Sequence, residues 1–263
     1  LVTEVPPAVD PTVRIQGRRL LTYSSKSELP KFIGLSSTAA FPLVALANSS
    51  GVSDAASQIA SYASAARALL RDKLTAHGAV LLRGMPLLSG NDFSSFVENL
   101  GWEALNLGGG GTPRSDVAKG VRTASDEPPE QTIEPHLDRA HSAAFPHRIA
   151  FFCLAGPPPG VGGETVLTDM RAVYAQLSAQ GVPAGFESRG GVAYVKRLWS
   201  SAHVDHRFTW QTFFFTDELD VAMDGVRKLD ANATFDEKEV IDYREILSAV
   251  VSHPITSEPL WFN

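Results

Sequence analysis

At 263 residues the chain can bury a sizeable core, and 44% hydrophobic against 20% charged residues is the balance of a globular protein. A formal charge of −6 excludes a broad surface for nucleic acid or anionic lipid, while a local basic pocket for a small anion stays open. No apolar run approaches bilayer-spanning length, and the single Cys153 excludes an internal disulfide and fits a reducing compartment. The expectation is an intracellular, cytoplasmic protein with neither nucleic acid nor membrane as partner, and bulk charge says little about its substrate. The numbering opens on Leu1 rather than Met, so a preceding N-terminal piece is expected.

Residues 1–41, rich in Pro, Ser and Thr, show no helical period and read as an arm laid over the core. Ser53 can cap a helix in which Ile59, Tyr62, Ala66, Leu69, Leu70 and Leu74 recur at helical spacing, with His77 in its last turn and Gly78 placed to end it. Ala79 to Gly84 follow as a buried strand. A second helix starts near Ser89 or Asn91 and carries Phe93, Phe96, Val97 and Leu100 up to Gly101.

The four glycines 108–111 lack the Lys-[ST] and following helix of a P-loop and read as a loop or lid. Arg148 to Leu154 is an apolar run of strand length in which Cys153 should be a buried, inert thiol. Thr165 to Thr168 is a second strand, followed by a helix capped near Thr168 or Asp169 that carries Met170, Val173, Tyr174 and Leu177 and stops at Gly181 and Pro183. Val192 to Val195 and Thr212 to Phe215 also read as strands. Without repeats or a long linker, the chain is expected to form one α+β domain on a β-sandwich or barrel.

The chemistry concentrates at His136-Leu137-Asp138. On a strand, residues two apart point the same way, so this imidazole and carboxylate would grip one metal ion. That is two-thirds of the 2-His-1-carboxylate set that leaves positions open on Fe(II). His141 and His147 nearby read as surface or hydrogen-bonded histidines.

In its order of motifs the chain resembles the TauD/TfdA group of taurine-dioxygenase-like enzymes, in particular its plant and algal branch. Pro113-Arg114, Pro128-Pro129-Glu130-Gln131, His136-Leu137-Asp138, Phe145-Pro146, Gly162-Gly163-Glu164-Thr165, Trp210-Gln211-Thr212 and Trp261-Phe262-Asn263 carry the likeness, from about Gly78 to Asn263. The resemblance implies a double-stranded β-helix, or jelly-roll, core with flanking helices over 1–263. It also implies Fe(II), 2-oxoglutarate and O2 as the reacting partners of a dioxygenase that hydroxylates or desaturates a small molecule, releasing succinate and CO2.

By the same resemblance His136 and Asp138 are iron ligands and Thr165 donates its hydroxyl to a carboxylate of 2-oxoglutarate. Arg114, which follows the glycine run, reads either as facing the mouth of the site toward an anionic substrate or as a surface salt-bridging residue. A carboxylate at 138, where halogenating relatives carry a small residue, favours hydroxylation or desaturation. The family's distal His and its 2-oxoglutarate-binding Arg fall beyond the Trp-Phe-Asn segment, so the C-terminal portion of the domain is expected to be missing. The downstream histidines, His203, His206 and His253, stand outside the setting that the family uses for its third ligand. A non-catalytic jelly-roll binding protein is the alternative, and a cupin-like isomerase would need further ligands in this core.

Overall fold

A computed structural model describes residues 2–5, 41–47, 55–103, 114–128, 133–143, 145–156, 165–204, 209–228, 232–236 and 239–263. The chain divides into two compact units. The first comprises 1–104, 114–135 and 150–172, and the second 105–113, 136–149 and 173–263.

In the first unit, β1 (Val2–Val5) pairs antiparallel with β2 (Leu43–Ala47), which runs parallel to β3 (Val80–Arg83). A parallel pair needs a long crossover, and helix α1 (Ala55–His77) supplies it, packing over all three strands. Its period buries Ile59, Tyr62, Ala63, Ala66 and Leu70, as the spacing predicts. Gly78 adopts φ +74 and donates its N–H to Leu74 O at 2.7 Å, closing the helix with a left-handed cap. The expected cap Ser53 lies outside the described residues. Strand β3 is where the sequence places it, but Leu81 and Arg83 are exposed, so it is covered on one face rather than buried.

Helix α2 (Gly90–Asn99) begins at Ser89, the first of the two expected starts, whose hydroxyl accepts from Asp92 N at 3.1 Å. The Asp92 carboxylate in turn accepts from Leu88 N at 2.9 Å, which holds its carboxyl below the ordinary range. Phe96 and Leu100 complete the core with α1, and Ser94 ties the hairpin of β4 (Asp116–Ala118) and β5 (Val121–Arg122) to α2 through Lys119 O at 2.7 Å.

Two expected strands are absent. Residues 148–154 and 165–168 are irregular, with Phe151 55% and Leu154 60% exposed, and Cys153 is exposed rather than buried. An apolar run becomes a buried strand only when a neighbour pairs with its backbone, and no described residue does so. Phe152 of this run stacks on the Phe93 ring at 5.2 Å. The next helix, α3 (Met170–Ala179), starts where expected. Arg171, just inside it, forks onto Asp169 at 2.8 and 3.0 Å and donates to Ala76 O at 2.8 Å, capping the last turn of α1. Arg171→Lys should lower stability by about 1–2 kcal/mol in urea denaturation, since a point charge cannot hold both partners.

In the second unit, Pro183 opens the short α4 (Val182–Glu187) instead of merely ending α3. The unit's main sheet has the order β6 (Val192–Leu198), β8 (Ile241–Leu247) and β7 (Asn232–Phe235), all antiparallel. Residues 212–215, expected as a strand, belong instead to helix α5 (Trp210–Phe214) and its C-cap. Thr209 and Thr212 cap each other's backbone N–H groups at 3.1 and 3.3 Å, which overrides the β-propensity of the phenylalanines. Trp210 packs with Leu198, Ile241 and Tyr243 and with Ala222 and Val226 of helix α6 (Leu219–Lys228). The hairpin of β9 (Val250–Ser252) and β10 (Pro259–Trp261) completes the unit. The architecture is thus mixed, helices on small sheets.

Candidate metal and co-substrate site

His136 and Asp138 lie in the second unit on an irregular segment that enters a turn, not on the strand that the sequence suggested. The turn does the work of the pleat. Ala140 N donates to Leu137 O, Ser142 N donates to Arg139 O at 3.0 Å, and Arg139 takes a left-handed φ of 62. His136 Nε2 and Asp138 Oδ1 thereby stand 3.4 Å apart, with the imidazole about half exposed. Two donors on neighbouring positions around one ion, each at ~2.1 Å, are separated by about 3 Å. The pair therefore fits one divalent cation in both spacing and N,O chemistry.

Aromatic contacts hold this segment inside its unit. The His141 ring meets Tyr194 of β6 edge-on, with centroids 6.5 Å apart, and Phe145 packs on Phe262 at 4.4 Å. The Phe145-Pro146 and Trp261-Phe262-Asn263 motifs, far apart in sequence, are thus brought together. Tyr194 donates its hydroxyl to Asn263 Oδ1, and Trp261 Nε1 donates to Asn263 O at 3.0 Å.

Burial holds the His141 imidazole below its ordinary pKa, and the nearby Lys196 and Arg139 cations add to the effect. Burial likewise lowers Lys196, against the opposing pull of Glu245. The Tyr243 phenol, buried and donating to Glu245, is pushed far above its usual range.

Thr165 and Arg114 belong to the first unit, where both are exposed. Gly162 to Glu164, the glycine run and residues 129–132 lie outside the described residues. Of the downstream histidines, His203 sits 3.6 Å from Glu239, and His253 Nδ1 accepts the N–H of Thr256 at 3.1 Å, closing its own turn. His206 lies outside the described residues. Among the described residues, no third His, Cys, Asp or Glu joins His136 and Asp138.

The sequence reading missed Lys196, Tyr243 and Glu245. Their signal was present as alternation. Tyr194, Lys196 and Leu198 share one face of β6, and Ile241, Tyr243 and Glu245 share the matching face of β8, so two charges fall in phase with core residues.

Residues 46–263 match the model of the family described as taurine catabolism dioxygenase TauD, TfdA family. A clavaminate synthase-like protein of Arabidopsis thaliana is 39% identical over 100 residues, which is 38% of this chain and 30% of that protein. The dapdiamide synthesis protein DdaC of Enterobacter agglomerans is 26% identical over 190 residues, 72% of this chain and 55% of its own length. The matched stretches thus span less than a third of the first relative and about half of the second. No helix among the described residues is long and apolar enough to cross a membrane.

Proposed function

Because the chain belongs to the TauD/TfdA dioxygenase family, we propose that it acts as an Fe(II)- and 2-oxoglutarate-dependent dioxygenase on a small molecule, built on a jelly-roll core. The observation that carries this reading is the convergence of His136 Nε2 and Asp138 Oδ1 at 3.4 Å. In this reading, bound iron with 2-oxoglutarate supplies oxygen activation, with succinate and CO2 as co-products.

The chain's own residues then have distinct tasks. His136 and Asp138 hold the metal through one neutral and one anionic donor, a pairing suited to a hard divalent ion that must keep positions open. The Asp138 carboxylate fills the position that a halide would need, which directs the reaction to hydroxylation or desaturation. Thr165 donates its hydroxyl to a carboxylate of 2-oxoglutarate, and exposed Arg114 offers a cation to an anionic substrate.

The test is an anaerobic titration of the protein with Fe(II) and then 2-oxoglutarate, read by the visible charge-transfer band of the chelated complex. A band supports the oxygenase reading. A cooperatively folded protein without one supports a non-catalytic binding protein. Thr165→Val should raise the 2-oxoglutarate concentration for half-maximal band intensity by roughly tenfold, the worth of a hydrogen bond to a charged group, with Fe(II) affinity unchanged. Equal losses of both would refute that role.

A further inference from the structure

The covered face of the β6–β8 pair changes character along its length. At one end Leu198 faces Ile241 in the core, then Lys196 stands opposite Tyr243, and then Tyr194 opposite Glu245. Glu245 is 3% exposed. Its Oε2 accepts the Tyr243 hydroxyl, and its enclosed Oε1 has no hydrogen-bond partner. A carboxylate oxygen kept from water without a donor carries its full desolvation penalty, so such an atom marks a place where a donor belongs.

The cation nearest to hand does not fill that place. Lys196 Nζ lies over the rings of Phe213 and Tyr243, 5.2 and 4.9 Å from their centroids, rather than against the carboxylate. Diagonal neighbours on adjacent strands come within reach of long side chains, so the separation reflects where the ammonium rests and not the register. Half-buried Lys196 is thus a cation held by π-faces beside an acceptor that lacks a donor. Arg139 acts electrostatically on Lys196, Lys196 and Asp138 both act on His141, and the His141 ring meets Tyr194 of the same face edge-on. The patch therefore adjoins the His136–Asp138 turn within one unit.

We propose that this face binds a small organic acid carrying an amino or hydroxyl donor next to its carboxylate, the acid group paired with Lys196 and the donor given to Glu245 Oε1. Entry is by way of Lys196, whose flexible stem swings off the rings to meet the acid. A carboxylic acid without a donor, 2-oxoglutarate included, leaves Glu245 unmet and adds repulsion to it. This names the substrate class of the proposed oxygenase; it rests on that reading for the reaction and not for the binding.

The experiment is titration calorimetry of the metal-free 263-residue protein with L-leucine, 2-hydroxy-4-methylpentanoate, 4-methylpentanoate, 3-methylbutylamine and 2-oxoglutarate, which holds the isobutyl group constant across the first three. The first two should bind at least about tenfold more tightly than the others. Lys196→Met should erase the advantage of L-leucine over the amine. Glu245→Gln, which can turn a donor toward the open place, should invert the preference between L-leucine and 4-methylpentanoate, a reversal that loss of structure cannot produce. Equal binding of those two by the unsubstituted protein overturns the proposal, as does tighter binding of 2-oxoglutarate or no binding by a cooperatively melting protein. Iron takes no part, so a missing charge-transfer band refutes the oxygenase reading while leaving this result standing.

Discussion

Replacing His136 by alanine is expected to weaken Fe(II) binding by more than about a hundredfold and to abolish 2-oxoglutarate turnover. The imidazole Nε2 stands 3.4 Å from Asp138 Oδ1, the pairing that the sequence and the turn geometry both single out. Loss of a group that merely orients a ligand already costs roughly ten- to a hundredfold in metal affinity, so loss of a ligand itself should exceed that range. The substitution should leave the fold intact, because the His136 side chain is about half exposed and stands on an irregular segment. His147→Ala, also at an exposed histidine near the motif, is the control and should change neither property. An anaerobic titration followed by gel filtration and iron quantitation measures the effect, and unchanged iron retention in His136→Ala would falsify the site.

The second large effect concerns stability. Gly191→Ala should lower the unfolding free energy by about 3 kcal/mol, or roughly 6–12 °C in midpoint for a chain of this size. Gly191 sits at φ +110, a conformation that L side chains rarely adopt, and a Cβ there would lie 2.3 Å from Leu247 O. That oxygen is backbone, so it can retreat only by opening the ladder where Val192 pairs with Leu247. Gly181 offers the internal comparison: its φ is +71, but a Cβ would meet nothing within 4 Å. Gly181→Ala should therefore cost only about 1 kcal/mol, from backbone strain alone. Thermal unfolding of the two variants side by side decides the matter, and equal losses would show that the contact with Leu247 carries no weight.

These two predictions differ in how they became visible. His136 and Asp138 are two residues apart, and a short turn joins them, so their convergence needs no knowledge of the rest of the chain. Even there the reasoning was incomplete, because a turn with Arg139 in the left-handed region, not a pleated strand, aligns the two side chains. The constraint on Gly191 comes from a strand more than fifty positions away and has no local signature beyond the glycine pair itself.

The same division runs through the fold. Helix α1 and its glycine stop, and α2 with Ser89, follow from periodicity and capping within a few residues, and they stand where the sequence puts them. The run around Phe213 shows the opposite outcome within an equally short stretch, where a reciprocal threonine cap outcompeted aromatic β-propensity. For 148–154, hydrophobicity suggested a strand where the structure has none, since a ladder partner is a property of another segment.

By itself, then, the sequence determined the family, the two principal helices of the first unit and the His136–Asp138 pair, all of which rest on contacts between near neighbours or on motif order. Only the tertiary structure decided that Cys153 is exposed, that 210–214 is helical, and that Lys196 and Glu245 share one covered face. The physical reason is register: strands distant in the chain must pair before an alternating pattern reveals what each side chain faces, and an unpartnered buried carboxylate oxygen exists only once that pairing is made.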